Sequence, residues 1–235
     1  MIPKAIHYCW FGRNEKPKLA KKCIASWTQY CPDYEIIEWN EDNFDPNFNA
    51  YTRYCYENKK WAFLSDFVRL HVVCEHGGVY FDTDVELIAP LDSFMEYDAF
   101  FSFETSRYVN TGQGFGSVAH HPVIKAMLQA YLSLSEDSDK TFNLVGCPTL
   151  NTNALLPLGL ELTGLRQNVC GAEILPVDFM NPFENATGRL NKTKNTISIH
   201  WYSKSWLSKR AIVRSALMRP LHRIFGVDAF KRFRK

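Results

Sequence analysis

The sequence predicts an α/β fold whose central sheet is mixed but mostly parallel and is flanked by helices. Two observations carry this. Residues 4–11 (KAIHYCWF) are strand-like, 18–30 have helical spacing, and 34–39 (YEIIEW) are strand-like again, which is a β-α-β opening. Later, residues 61–75 form the strongest helical pattern, with Ala62, Phe63, Phe67, Leu70 and Cys74 near one stripe. Gly77-Gly78 ends it, and the short apolar strand Val79-Tyr80-Phe81 follows.

The remaining elements read in order. Residues 47–59 are weakly amphipathic and helical, and 85–88, 99–103 and 115–118 are strands. Residues 122–134 and 147–156 are helices, and 174–177 and 196–201 are late strands. Residues 211–225 form a basic amphipathic helix interrupted near Pro220. At 235 residues the chain is expected to hold one domain, 1–208, and a C-terminal tail, 209–235.

Composition narrows the classes. Apolar residues at 46% and charged residues at 22% suit a globular chain that buries a sizeable core. The seven cysteines form no C-x-x-C pair, which argues against a zinc knuckle and for free, mostly buried thiols in a reducing compartment. Met1-Ile2-Pro3-Lys4 leads straight into a strand, so no signal peptide is expected, and no apolar run is long enough to span a membrane. Asn185 and Asn191 head glycosylation sequons, which are read as chance. The net charge of +2 conceals nine Lys/Arg against one Asp in residues 209–235. Such a tail calls for a partner or a surface. An anionic membrane is one reading, and docking on the domain is the other. Nucleic acid is not expected, because aromatic residues scarcely interleave the charges.

The chemistry-bearing residues fall in short blocks. Asp82 and Asp84 follow an apolar strand, and in extended backbone two residues at i and i+2 point the same way. Two carboxylates about 4 Å apart repel by about 4 kcal/mol at an effective dielectric near 20, and a divalent cation reverses that sign. The alternative is a pair of solvated turn aspartates. Asp66 and Arg69 share a helix face at i and i+3, either as a plain ion pair or as contacts to sugar and phosphate oxygens. His200, at the end of a late strand, is a candidate metal ligand or a core histidine. Lys204, Ser205 and Trp206 follow it as candidates to cover a phosphate-bearing ligand. Trp10 ends the first strand, where ligands sit in α/β sheets. It either stacks on a base or packs on the first helix.

Taken together, I-P-K-x-I-H-x-x-W-F-G at 2–12, S-D-x-x-R at 65–69, G-G-x-Y-x-D-T-D at 77–84 and H-W-x-x-x-S-W at 200–206 resemble the family 32 glycosyltransferases. These carry the "DXD sugar-binding region", act in capsular and surface polysaccharide synthesis, and are related to the clostridial glucosylating toxins. The resemblance spans about residues 2–206. It implies a GT-A fold, a nucleotide-sugar donor, usually UDP-linked, Mn²⁺ or Mg²⁺ as cofactor, and retention of anomeric configuration. By position, Trp10 looks like the uracil-stacking residue, and Asp66 and Arg69 look like donor-sugar contacts. Asp82 resembles a sugar or ribose contact that also borders the metal, Asp84 the direct metal ligand, and His200 a C-terminal metal ligand. Lys204, Ser205 and Trp206 look like the segment that closes on the pyrophosphate, and Asn110 resembles a donor contact.

The function expected is therefore transfer of a hexose, galactose or glucose, from a UDP-sugar to a saccharide or polyprenyl-linked acceptor. The expected place is the cytoplasm, on or near the inner face of the membrane. Two alternatives stand beside it. A D-x-D phosphatase-like hydrolase wants Thr or Val two residues past the second Asp, where this chain has Glu86. A catalytically silent carbohydrate- or nucleotide-binding protein would keep every block without turnover.

Overall fold

The computed structural model describes residues 1–203 and 209–226, without the side chains at 209, 211–213 and 216. The chain opens with β1 (Ala5–Cys9), α1 (Lys18–Tyr30), β2 (Glu35–Trp39), α2 (Ala50–Glu57), α3 (Trp61–His76), β3 (Gly78–Tyr80) and β4 (Val85–Leu87). It continues with β5 (Ala99–Thr105), β6 (Tyr108–Val109), β7 (Phe115–Ser117), α4 (Pro122–Leu132) and α5 (Cys147–Leu155). Then come β8 (Gln167–Val169), β9 (Ala172–Leu175), α6 (Val177–Met180), β10 (Phe183–Glu184), β11 (Arg189–Leu190), β12 (Ser198–His200) and α7 (Lys209–Phe225).

The main sheet runs β2-β1-β3-β7-β5-β9-β8, with β6 added to β5. Parallel pairing is confined to β2-β1-β3 and β5-β9, whereas β7, β6 and β8 pair antiparallel. The sheet is mixed, and less parallel than its opening β-α-β unit implies, because β7 enters between β3 and β5 in the reverse direction. β3 and β5 thereby run the same way, and their C-terminal ends meet on one side of the molecule.

Side-chain alternation divides the core in two. On β5, Ala99, Phe101 and Phe103 face one layer with Phe67 and Leu70 of α3 and Met127 of α4. Phe100 faces the other, with Trp27 of α1, Phe81, Leu91 and Phe94. On β3, Tyr80 belongs to the first layer and Val79 to the second. Asp82, two residues past Tyr80, stays on the α3 side.

His7 locks the β1–β3 joint. Its Nδ1 accepts from Trp39 Nε1 at 3.1 Å, and its Nε2 lies 2.9 Å from the carbonyl oxygen of Gly77, the residue that caps α3. Gly78 has φ +105, and a Cβ there would lie 2.8 Å from His7 Nε2, so the tight pairing needs glycine. On the other face α1 grips β4. Trp27 Nε1 donates to the Val85 carbonyl at 2.8 Å, and Ser26 Oγ accepts from the Leu87 N–H at 2.9 Å.

Pro220 lies inside α7 rather than breaking it. The helix packs on the β10–β11 hairpin. Arg219 Nε donates to the Asn185 carbonyl at 3.3 Å, Arg223 Nε to the Thr187 carbonyl at 2.6 Å, and the Arg219 guanidinium lies 5.4 Å from the Phe183 ring centre. Among the described residues no helix is long and apolar enough to cross a membrane. Six cysteines are free and buried, and Cys170 is free and exposed.

Candidate active site

Asp82 and Asp84 do not sit on extended backbone. β3 ends at Tyr80, and residues 82–84 form a turn closed by the Val85 N–H donating to the Asp82 carbonyl at 3.0 Å. The two carboxylates therefore take different partners. Asp82 stays with α3, while Asp84 swings toward β12.

Around Asp82, Arg69 is the hub. Its Nη2 is 3.0 Å from Asp82 Oδ1 and 2.7 Å from Asp66 Oδ1, and Arg69 is only 2% exposed. Tyr80 OH donates to Asp82 Oδ1 at 3.0 Å, and its ring lies under the guanidinium at 5.1 Å. Arg69 Nη1 also approaches Thr111 Oγ1 at 3.5 Å and Cys147 Sγ at 3.6 Å. Burial pushes Asp66 up to about 6, against the pull of Arg69 and with a push from Asp82. Burial likewise raises Asp82, with Arg69 opposing and Asp84 adding.

The loop after β6 presses against this hub. The Asp82 N–H donates to the Gly112 carbonyl at 3.2 Å, and Asn110 Oδ1 accepts from the Gly112 N–H at 2.7 Å and from Cys147 Sγ–H at 3.3 Å. A Cβ at Gly112 would stand 2.5 Å from Asp82 Oδ2 and 3.0 Å from Arg69 Nη1. Only glycine lets the loop come this close. Asn151 of α5 steadies Thr111 with a 2.9 Å hydrogen bond.

Asp84 is held from the far side of the sequence. β12 pairs antiparallel with β4 and sets His200 opposite Val85, the residue after Asp84. His200 Nε2 lies 3.3 Å from Asp84 Oδ1, Ser203 N–H donates to Asp84 Oδ2 at 2.6 Å, and Trp201 N–H donates to the Asp84 carbonyl at 2.9 Å. Burial alone would raise Asp84, but the charge and hydrogen bond of His200 and the Ser203 N–H hold it well below the usual carboxylate range. His200 responds in the opposite sense. Burial lowers it, yet Asp84 and Asp82 outweigh burial and raise it.

Ligand atoms of Asp82, Asp84 and His200 all lie within 4.8 Å of one another. Two carboxylates and one imidazole make an oxygen-rich donor set that suits Mn²⁺ or Mg²⁺ better than a soft-metal site. The imidazole's polar contact runs through Nε2, since Nδ1 is buried without a hydrogen-bond partner. These residues fit a divalent cation.

The structure thus brings Asp66, Arg69, Asp82, Asp84, Asn110 and His200 into one cluster beyond the C-terminal ends of β3 and β12. Trp10, on the adjoining end of β1, lines a cavity of about 240 Å³ with Arg13, Asn14, Lys16, Glu38, Asn40 and Glu41. Its Nε1 donates to the Asn14 carbonyl at 2.6 Å. Lys204, Ser205 and Trp206 lie outside the described residues. Thr111, Gly112, Cys147, Asn151, Glu104 and Tyr202 were not among the expected site residues. Thr111 and Gly112 lie in the Gly-rich stretch that holds Asn110, and Tyr202 lies inside the H-W-x-x-x-S-W block.

The fold is GT-A-like. The chain superposes on the PaToxG glycosyltransferase with a TM-score of 0.51 at 20% identity, over 66% of this chain and 69% of the other. Residues 1–146 match the capsular polysaccharide synthesis protein family, and the chain belongs to that family. It is 26% identical over 159 residues to an uncharacterized glycosyltransferase, L373, of Acanthamoeba polyphaga mimivirus, covering 62% of each chain. It is 32% identical over 75 residues to the human alpha-1,4-N-acetylglucosaminyltransferase, covering 32% of this chain and 21% of the relative. The matched segments span less than two thirds of either relative.

Proposed function

We propose that the chain is a divalent-metal-dependent, retaining glycosyltransferase. It moves a hexose, galactose or glucose, from a UDP-sugar to a saccharide or lipid-linked saccharide acceptor in surface polysaccharide synthesis. The observation that carries this is the convergence of Asp82, Asp84 and His200, from two distant parts of the sequence, beside the Asp66–Arg69 pair.

The difficult event is cleavage of the bond between the anomeric carbon and the pyrophosphate, which leaves negative charge on phosphate and positive charge on the sugar ring. Asp84 and His200, with Asp82 beside them, would hold the cation, which when bound neutralises diphosphate oxygens. Arg69 faces the same charge from α3, already oriented by Asp66 and Asp82, so no reorganisation is needed as charge develops. Asp66 and Asn110 would bind donor hydroxyls, and Trp10 would stack on the base over its cavity. Lys204, Ser205 and Trp206 would close over the pyrophosphate. The acceptor oxygen attacks from the face the phosphate leaves, and a phosphate oxygen takes its proton.

The tail supports a place at a membrane surface. Leu217 and Ile224 are 71% and 73% exposed on a helix whose Arg210 and Arg214 are also exposed. Apolar residues among arginines suit the surface of an anionic bilayer, with α7 staying docked on its hairpin. That placement is the cytoplasmic face, where lipid-linked acceptors are built.

A screen of UDP release across UDP-sugars, with Mn²⁺ and with EDTA, tests the proposal. Release that needs Mn²⁺ and falls at least about a hundredfold in Asp84→Asn supports it. A protein that binds UDP-sugars but never releases UDP is a binding module instead.

A further inference from the structure

Glu104 is the penultimate residue of β5 and lies beside Tyr202. Its Oε1 accepts from Tyr202 OH at 2.9 Å, and among the described residues Oε2 has no hydrogen-bond partner. Asn181 Nδ2 fixes the pair, donating to the Glu104 carbonyl at 3.2 Å and to Tyr202 OH at 2.7 Å. Tyr202 also stacks on His200, with ring centres 4.0 Å apart and planes 28° apart. A bulky residue rarely adopts φ +52, yet Tyr202 does, and that turn folds the phenol back over His200 toward Glu104. A strained tyrosine thus joins a metal-ligand histidine to a half-buried carboxylate that the donor-side chemistry above leaves unused.

We propose that Glu104 and Tyr202 form the acceptor subsite, binding saccharide hydroxyls through Glu104 Oε2 while Tyr202 sets the carboxylate's distance from His200. This rests on the glycosyltransferase reading and adds the acceptor side to it. A carboxylate with one oxygen engaged and one available accepts strongly from a sugar hydroxyl. Held by Glu104, the acceptor is oriented so that a neighbouring hydroxyl oxygen reaches the anomeric carbon. In the transfer the acceptor O–C bond forms and the C–O bond to phosphate breaks. The acceptor proton goes to the phosphate, and Glu104 begins and ends as a carboxylate.

The test measures UDP release from UDP-glucose and UDP-galactose with Mn²⁺, alone and with a panel of methyl glycosides of glucose, galactose and their N-acetylamino forms. The wild-type protein is expected to release UDP faster with at least one glycoside. In Glu104→Gln the ratio of stimulated to unstimulated release is expected to fall at least about tenfold. Most of that fall should appear as a raised KM for the glycoside. Tyr202→Phe keeps the ring stack and removes the hydroxyl, and it is expected to lower the same ratio to a smaller degree. An unchanged ratio in Glu104→Gln, or wild-type release that no glycoside stimulates, overturns the subsite and leaves the donor reading standing. No UDP release under any condition overturns the glycosyltransferase reading beneath it.

Discussion

Arg69 and Asp82 meet at 3.0 Å across two elements, the guanidinium from α3 and the carboxylate from the turn after β3. The same Nη2 reaches Asp66 at 2.7 Å, so one buried cation balances two carboxylates. Removing it strands both. Arg69→Met is expected to destabilise the fold by about 3–5 kcal/mol, because breaking a buried pair leaves uncompensated charge. The double variant Arg69→Met, Asp82→Asn should recover part of that loss. Urea unfolding of the wild type, both single variants and the double variant measures the coupling. Additive losses would contradict it.

Gly112 predicts a loss of function out of proportion to stability. A methyl group there would collide with Asp82 Oδ2 and crowd Arg69 Nη1 and Asn110 Oδ1. Gly112→Ala is expected to cost about 1–3 kcal/mol and to cut UDP release at least about tenfold, since the loop must withdraw from the hub. Thermal unfolding and the release assay, run on one preparation, check both halves. Activity like the wild type's would show that the loop is free to move without harm.

His7 predicts a pH dependence. Its Nδ1 accepts from Trp39, so the folded ring is neutral, and burial pushes it down to about 4. The unfolded chain binds this proton near pH 6.5. Between those values the unfolded state holds more protons, so stability falls as pH drops from about 6.5 and levels off below about 4. The contribution is about 3 kcal/mol. His7→Gln keeps a donor and an acceptor without titrating. Its unfolding free energy should fall less steeply over that window, as measured by denaturant melts at a series of pH values. Parallel slopes would exclude His7 as a source of the acid sensitivity.

The tail predicts binding to anionic vesicles. The full chain should pellet with phosphatidylserine-containing liposomes and not with neutral ones. Leu217→Asp, Ile224→Asp should weaken pelleting without disturbing the hairpin contacts of Arg219 and Arg223. Equal recovery on neutral and anionic vesicles would contradict a surface role for the arginines.

What the sequence disclosed follows from how local each feature is. The 61–75 helix and the strand behind it were legible because period, glycine stop and apolar run all agree within one window. The i, i+3 spacing of Asp66 and Arg69 put them on one face, and Asp82 joins them because it continues the face of Tyr80. The turn at 82–84 stood in the sequence only as the alternative to extended backbone, because three residues are too few for a period to decide between them. Short strands such as β6, β8, β10 and β11 carry too few residues for a period to show. Glu104 reaches the cleft through the sheet order, and Cys147 and Asn151 through the packing of α5 on the loop after β6, since nothing near them in sequence marks a site.

The central claim is that Asp84 and His200 hold a divalent cation that clasps the diphosphate of a UDP-linked donor. Calorimetric titration of UDP into the wild type and Asp84→Asn, each with Mn²⁺ and with EDTA, tests it most directly. The wild type should bind UDP at least about tenfold more tightly with Mn²⁺, and Asp84→Asn should lose that gain. UDP affinity indifferent to Mn²⁺, or an undiminished gain in Asp84→Asn, would contradict the account.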